Sequence, residues 1–338
     1  MLTLNIELYY IIKNMIISHS EMTPNQSFFC QNFSSLINHE ITFNTPIKPY
    51  TSFRIGGPAE ILAQIKNQKL FLEVIKETKK AKINITYLGS GTNILVSDQG
   101  IKGLTIKYLN QDIGIQNQSI TASSAVNTAF LAQKTINKKM AGLEFFTSLP
   151  GSLGGAIYNN AHYNNHYISE HLKSILFFDG QKIYTLSKKE CLFDYDQSIF
   201  FKKKGFILSA TFNLKSAANN ASLKQIALSI LKYRQNSQPL NYPSAGCVFK
   251  NPLNNSFLKK LFPQFSDQKF ISAGFLIDKA NLKGLSCHDA VVSSQHAGFI
   301  INQGNAQAKD VLKLIKKIQF EIQNCFKINL ETEIFYLT

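Results

Sequence analysis

The chain has 338 residues, 44% of them hydrophobic and 17% charged, with a formal net charge of +15. That length suits roughly two domains with real cores, and the composition describes a globular protein. The basic residues are scattered lysines apart from Arg54 and Arg234, which disfavours a nucleic-acid reader and suits an anionic small molecule.

The five cysteines (Cys30, Cys191, Cys247, Cys287, Cys325) are dispersed and never spaced CxxC. This argues against a disulfide framework or a zinc site and for a reducing compartment. No apolar run is long enough for a bilayer. The first twenty residues are apolar but lack a basic n-region and a small-residue cleavage site, and Glu7, Lys13 and Asn14 interrupt them. They read as an amphipathic tail or an over-long start, with Met15 and Met22 as other starts. A cytoplasmic protein that engages no membrane is expected.

Residues 1–40 carry Ser/Asn/Gln-rich stretches without a sustained period and read as a poorly ordered extension outside the core fold. From Ile41 onward the pattern becomes regular. TSFRIGG ends in Gly56 and Gly57, and residues 61–66 alternate as a strand. Residues 69–82 are an amphipathic helix and 83–88 a strand. The run GSGTN then places Gly89, Ser90, Gly91, Thr92 and Asn93 where backbone N–H groups can form an anion nest, or simply a hairpin turn. Because residues 94–96 read as a strand rather than a helix, a Rossmann site is disfavoured.

Residues 102–108 and 115–122 read as strands and 125–138 as a helix. A second glycine loop follows at Pro150, Gly151, Ser152, Gly154 and Gly155. Two such loops beside β segments suit a dinucleotide laid across a sheet. His162 and His166 have i, i+4 spacing, yet Asn164 and Asn165 are poor helix formers and the HExxH glutamate is absent, so no metal site is expected. Strands are expected at 174–179, 182–186 and 206–214, and a helix at 221–234. The change of character between about 215 and 235 marks a domain boundary.

YPSAGCVFKNP, residues 242–252, is the stretch that most resembles chemistry. Gly246 allows close backbone approach, Pro243 and Pro252 fix the flanks, and the Cys247 thiol, with an ordinary pKa of about 8.5, can exchange a proton near neutrality. The other reading is a buried free cysteine on a short strand. Residues 275–280 form a helical turn, 288–292 and 298–302 strands, and 306–326 an amphipathic helix. A final strand over 328–337 places Glu331 and Glu333 on one face, either as solvated edge charges or as catalytic carboxylates.

In order along the chain, TSFRIGG, LGSGTN, LPGSLGGA, YDQSIF, YPSAGCVFKNP, LIDKANLKG, QHAGFIIN and LETE resemble the UDP-N-acetylenolpyruvoylglucosamine reductase (MurB) family in its compact type, over about residues 42–338. The resemblance implies an α+β fold, with a two-lobed FAD-binding domain of the vanillyl-alcohol-oxidase (PCMH) type over 41–220 and a C-terminal α+β substrate-binding domain over 221–338. It implies FAD as cofactor, NADPH as hydride donor, and reduction of the enolpyruvyl ether of UDP-N-acetylglucosamine to UDP-N-acetylmuramate in peptidoglycan synthesis. By motif match, FAD would meet Arg54, Ile55, Gly56 and Gly57 together with the two glycine loops. Cys247 would be the proton donor and Glu333 the catalytic carboxylate, while Tyr195, Arg234, Asn251 and His296 would contact substrate. The partner would be the UDP-sugar alone, and a monomer is expected.

One motif departs. Where the family has a catalytic arginine after the tyrosine, this chain has Asp196, so attraction to the substrate carboxylate becomes repulsion. Each is of order 4 kcal/mol at about 4 Å and an effective dielectric near 20. One of Lys202, Lys203 and Lys204 would have to compensate, or the chain would be a flavin-binding paralogue with impaired catalysis.

Overall fold

A computed structural model describes residues 22–338; the apolar opening of the chain and any reading of it as tail or leader lie outside them. The first lobe is a four-stranded sheet in the order Ile41–Pro46, Pro58–Ile65, Ile101–Tyr108, Ile85–Tyr87. The second, third and fourth of these run parallel, and the first pairs antiparallel at the edge. Pro58–Ile65 and Ile101–Tyr108 are buried at nearly every residue, as parallel strands covered on both faces must be. The helix Gln68–Lys80 starts at Asn67, whose side chain accepts from the Leu70 amide, and buries Phe71, Val74, Ile75 and Thr78. That i, i+3, i+4, i+7 stripe packs on the sheet.

The expectation of an extension outside the core fails for the described part of residues 1–40. Pro24–Asn32 is a helix opened by a reciprocal capping box between Thr23 and Gln26, with Phe29 fully buried and Phe33 and Ile37 beside it in the first lobe's core. The buried Glu60 accepts from the Gly103 amide at 2.6 Å, from Asn25 Nδ2 at 3.2 Å and from the Thr23 hydroxyl, which ties the segment down. The polar composition hid this because two phenylalanines and a cap suffice to dock a nine-residue helix.

The second lobe is an antiparallel five-stranded sheet in the order Ile183–Ser187, Leu172–Phe178, Phe206–Asn213, Ser119–Ser123, Ile113–Gln116. The single strand expected over 115–122 is a hairpin, since Asn117 takes a left-handed φ of 54° and turns the chain. The second glycine loop also differs from expectation: Ser152 caps a short helix, Leu153–Tyr158, and so draws Gly154 and Gly155 into it. His162–Tyr163 and His166–Tyr167 form a small hairpin rather than a helix.

In the C-terminal domain, the sheet Ser244–Cys247, Phe299–Asn302, Ala290–Val292, Ser286–Cys287 packs against Ala273–Lys279 and the long helix Ala308–Phe326. Its core takes in Phe53, Ile55 and Leu95 from the first lobe. The expected strand over 328–337 is divided. Thr332 bridges Phe249, and only Phe335–Leu337 is a strand, running parallel to Ile94–Val96 of the first lobe. Because the segment changes partners between domains, Glu331 is exposed while Glu333 is half-buried.

Two further ties join the domains. Asn302 Nδ2 donates to the Phe53 carbonyl at 3.1 Å. The Asp98 carboxylate accepts from the Ala308 and Lys309 amides at 2.8 and 3.0 Å, capping the long helix from the other domain and placing an anion where the helix dipole is positive. Asp98→Ala is expected to cost about 1–2 kcal/mol, read as a lower urea midpoint at unchanged m-value.

Candidate active site

Three sequence segments interlock at the mouth between the lobes. A Cβ on Gly91, at φ 69°, would lie 2.1 Å from the Tyr50 carbonyl oxygen, so only glycine admits the contact between the GSGTN turn and residues 50–51. In the same way Gly89 abuts Ser152 Oγ, and Gly151 abuts Thr92 Oγ1. The two glycine loops are therefore one surface. Lys107 sends its Nζ to the Gly89 carbonyl and sets a cation beneath the first turn, while Gly89, Ser90 and Gly155 stay exposed. A cleft of about 660 Å³ runs past Tyr50, Thr51, Ser52, Arg54, Ser90 and Lys107 to residues 240–243 of the C-terminal domain. Its size falls in the range of about 300–1,000 Å³ usual for ligand sites, and its cations and bare backbone suit a diphosphate.

The rest of the first motif is placed differently. Ile55 is buried, and Gly56 and Gly57 press on Val96 and on the Asp98–Gly100 backbone, so packing accounts for their small size. Pro150 is exposed. Arg54, at φ 53°, is the exposed member of the motif on the cleft.

Across from this surface, Cys247 ends the strand Ser244–Cys247. Gly246 before it has φ 80° and open space where a Cβ would stand, so its backbone conformation rather than crowding favours glycine there. Burial pushes the Cys247 thiol up to about 12, the Glu333 and Asp196 charges add to this, and Arg234 opposes it. Glu333 is likewise pushed up to about 8, first by burial and then by Asp196, with Lys250 opposing. Tyr195 is raised by burial, Asp196 and Glu333, and its hydroxyl bonds to Asn251. Its ring stacks on Phe270, 4.4 Å between centroids. Cys247, Glu333, Tyr195, Asp196 and Arg234 thus form one electrostatic cluster.

Glu333 is located by its backbone. Its amide donates to the Val248 carbonyl at 2.8 Å, and its own carbonyl accepts from Asn93 Nδ2 at 3.3 Å. Asn93, read from sequence as a member of the phosphate nest, is also the clamp on the carboxylate segment. Asn251 Oδ1 accepts from the Ala273 amide at 2.9 Å and so aligns the following helix. Arg234 donates from Nε to Gln238 at 2.8 Å and from Nη1 to the Ser148 carbonyl. His296 takes the Gly298 amide on Nδ1 at 3.1 Å, and burial lowers its pKa.

Among the described residues none of Lys202, Lys203 and Lys204 forms an ion pair with Asp196. Lys203 hydrogen-bonds Tyr184 and lies 5.3 Å from its ring centroid, and Lys202 and Lys204 are exposed. Sequence reasoning missed the residue that does meet Asp196: His162 Nδ1 is 3.3 Å from Asp196 Oδ1. The only available signal was that both depart from the family pattern. Among the described residues one group could hold a metal ion, namely Cys287, His288 and Asp310, with ligand atoms within 4.8 Å of one another. It lies outside the cleft, at the start of the long helix.

Residues 59–181 match the family described as FAD binding domain. The two lobes with their joined glycine loops are thus those of a flavoprotein, set against a domain that carries a thiol and a carboxylate. Residues 238–337 match the family described as UDP-N-acetylenolpyruvoylglucosamine reductase, C-terminal domain. Proteins named UDP-N-acetylenolpyruvoylglucosamine reductase from Clostridium tetani and Clostridium novyi are 34% and 36% identical to this chain. The alignments cover 94% and 89% of this chain and 98% and 93% of those proteins. The solved reductase (MurB) of Thermus caldophilus superposes with a TM-score of 0.70 at 28% identity, over 88% of this chain and 98% of that one. The chain belongs to the UDP-N-acetylenolpyruvoylglucosamine reductase family.

The Glu333 carboxyl sets a pH dependence of folding. In the folded protein it keeps its proton to about pH 8, whereas an unfolded glutamate loses it near about 4.3. Its contribution to stability is full below the lower value and is lost as pH rises through the upper one. Between about pH 5 and about pH 8.5, the urea midpoint of the wild type should therefore fall more steeply than that of Glu333→Gln. Parallel curves would contradict the assignment.

Proposed function

We propose that this chain is an FAD-dependent, NADPH-driven oxidoreductase that reduces the enolpyruvyl ether of UDP-N-acetylglucosamine to UDP-N-acetylmuramate, a step of peptidoglycan synthesis. The observation that carries the proposal is the attachment of the Glu333 segment both to Val248, next to Cys247, and to Asn93 of the first glycine loop, which brings the thiol, the carboxylate and that loop together. FAD, held along Arg54, Gly89, Ser90, Thr92 and the Ser152 loop, supplies hydride chemistry when bound.

The chain's own groups do the rest. A thiol with its pKa raised to about 12 is fully protonated at neutral pH and yields its proton only to a stronger base, such as a carbon on which negative charge develops. Glu333, with its value near 8, carries a proton near neutrality and adds no second full negative charge beside the thiol. Tyr195 and Asn251, bonded to each other, line the sugar-nucleotide side. Arg234 has one guanidinium nitrogen not engaged by Gln238 or Ser148 and is suited to a phosphate oxygen.

A cytoplasmic monomer suits this reading. Among the described residues no helix is long and apolar enough to cross a membrane, and Cys30, Cys191, Cys247, Cys287 and Cys325 are all free.

The test is NADPH consumption by purified protein given the UDP-linked enolpyruvyl ether. Cys247→Ala is expected to keep its flavin absorbance and lose about 10²–10⁴-fold in kcat, with Cys247→Ser recovering part of it. An inert wild type revived by Asp196→Arg would instead mean a flavin-binding paralogue that has lost catalysis.

A further inference from the structure

A second group of chemistry-bearing side chains lies away from the cleft, where a hairpin of the C-terminal sheet meets the first turn of the helix Ala308–Phe326. Cys287 ends the strand Ser286–Cys287 and pairs with Ala290, so His288 and Asp289 form the turn. Neighbouring side chains on a strand face opposite ways. His288 departs from that rule with a left-handed φ of 48°, and its Nδ1 comes within 3.8 Å of Cys287 Sγ. Asp289 secures the turn, its Oδ2 accepting from the Asn305 amide at 2.7 Å and its carbonyl from the Gln303 amide at 2.8 Å. The chain then enters the helix, and the third helical residue, Asp310, reaches back to the hairpin.

Asp310 is 2% exposed, and its two oxygens are divided. Oδ2 accepts from the Gln307 amide at 3.0 Å and closes the helix cap. Oδ1 lies 3.0 Å from His288 Nδ1 and 3.9 Å from Cys287 Sγ. Sulfur, nitrogen and oxygen thus make a triangle with edges of 3.0, 3.8 and 3.9 Å. A tetrahedral cation with bonds of about 2.3 Å to sulfur and about 2.1 Å to nitrogen and oxygen needs edges of about 3.4–3.6 Å. Each observed edge is therefore within about 0.4 Å of that requirement. Hydrogen bonding alone serves the triangle poorly, because a thiol is a weak donor and one N–H at Nδ1 satisfies a single edge. A carboxylate so buried calls for a charged partner or a metal. Among the described residues its one ion pair is with His288, whose side chain is 72% exposed. Cys287 is half-buried, so a cation can reach the ligands from solvent.

We propose that Cys287, His288 and Asp310 are the three protein ligands of a zinc-class divalent cation, with water in the fourth position. The donor set decides the class: sulfur, nitrogen and oxygen together suit Zn²⁺, whereas Mg²⁺ and Ca²⁺ take oxygen. Cys287 binds as the thiolate, its proton passing to solvent. No CxxC spacing announces the site, because Asp310 stands 23 residues from Cys287 and only the fold joins them. The cation staples the hairpin to the long helix. The same first turn is where Asp98 of the first lobe accepts from the Ala308 and Lys309 amides, so the staple stiffens the joint between the domains. The site shares no residue with the cleft, and its fate is separate from that of the reaction proposed above.

The experiment takes the full flavin-loaded chain, strips it with a chelator, and titrates it with Zn²⁺ against a chromophoric chelator and with Co²⁺ as a spectroscopic stand-in. The wild type should bind one Zn²⁺ per chain, and its thermal midpoint should rise with Zn²⁺ concentration. In difference spectra Co²⁺ should bring the near-ultraviolet band of a thiolate–cobalt bond. Cys287→Ser should abolish that band, whereas Cys247→Ala should keep it. Cys287→Ser and His288→Asn, the latter chosen because asparagine tolerates the left-handed turn, should each weaken Zn²⁺ binding at least about tenfold, the least that even an outer partner of a metal ligand costs. Mg²⁺ should leave the midpoint unmoved. A wild type that takes up no Zn²⁺, full affinity in both variants, a band lost in Cys247→Ala but kept in Cys287→Ser, or an equal response to Mg²⁺ overturns the site.

Discussion

The arrangement depends on the return of the last ten residues to the first lobe. The strand Phe335–Leu337 pairs with Ile94–Val96, directly after the GSGTN turn. In the same stretch the Glu333 amide is bonded to Val248 and its carbonyl to Asn93. One peptide segment is thereby stitched at once to the glycine loop and to the strand that carries Cys247. Without that double attachment nothing in the main chain would fix the carboxylate relative to either surface. Asp98 and Asn302 reinforce the joint from the two sides, one capping the long C-terminal helix and the other bonding the Phe53 carbonyl.

The electrostatics follow from that geometry. Bringing Glu333, Cys247, Tyr195 and Asp196 together in a buried cluster disfavours every anion among them, which is why the thiol and carboxyl hold their protons near neutrality. Such a cluster is well made for giving protons and poorly made for receiving an anion. The exchange of an arginine for Asp196 sharpens both tendencies, and the adjacent His162 supplies the one basic contact that Asp196 makes among the described residues.

Much of this architecture was legible along the chain. The long helix announced itself through its stripe, expected over 306–326 and observed over Ala308–Phe326, because a strong 3.6 period survives any tertiary context. The glycine loops stood out for the same reason that they matter: side chains would collide there with Tyr50, Ser152 and Thr92. Weaker local signals misled. The hairpin at Asn117 looked like one strand because a single left-handed asparagine leaves little trace in a hydrophobic pattern. The helix Pro24–Asn32 was hidden because Phe29 and Phe33 lie in a polar stretch whose docking is decided by the sheet beneath. The C-terminal strand was overextended because alternation continues through residues that change partners midway.

The sequence by itself determined the segments, the glycine turns, the thiol motif and the family, since each is written in a few consecutive residues. Only the tertiary structure decided that Asn93 would grip Glu333 across 240 positions, that the lysines after Tyr195 would turn elsewhere, and that Asp196 would face an imidazole. Those contacts join residues remote along the chain and satisfy charges and hydrogen bonds that no local period records.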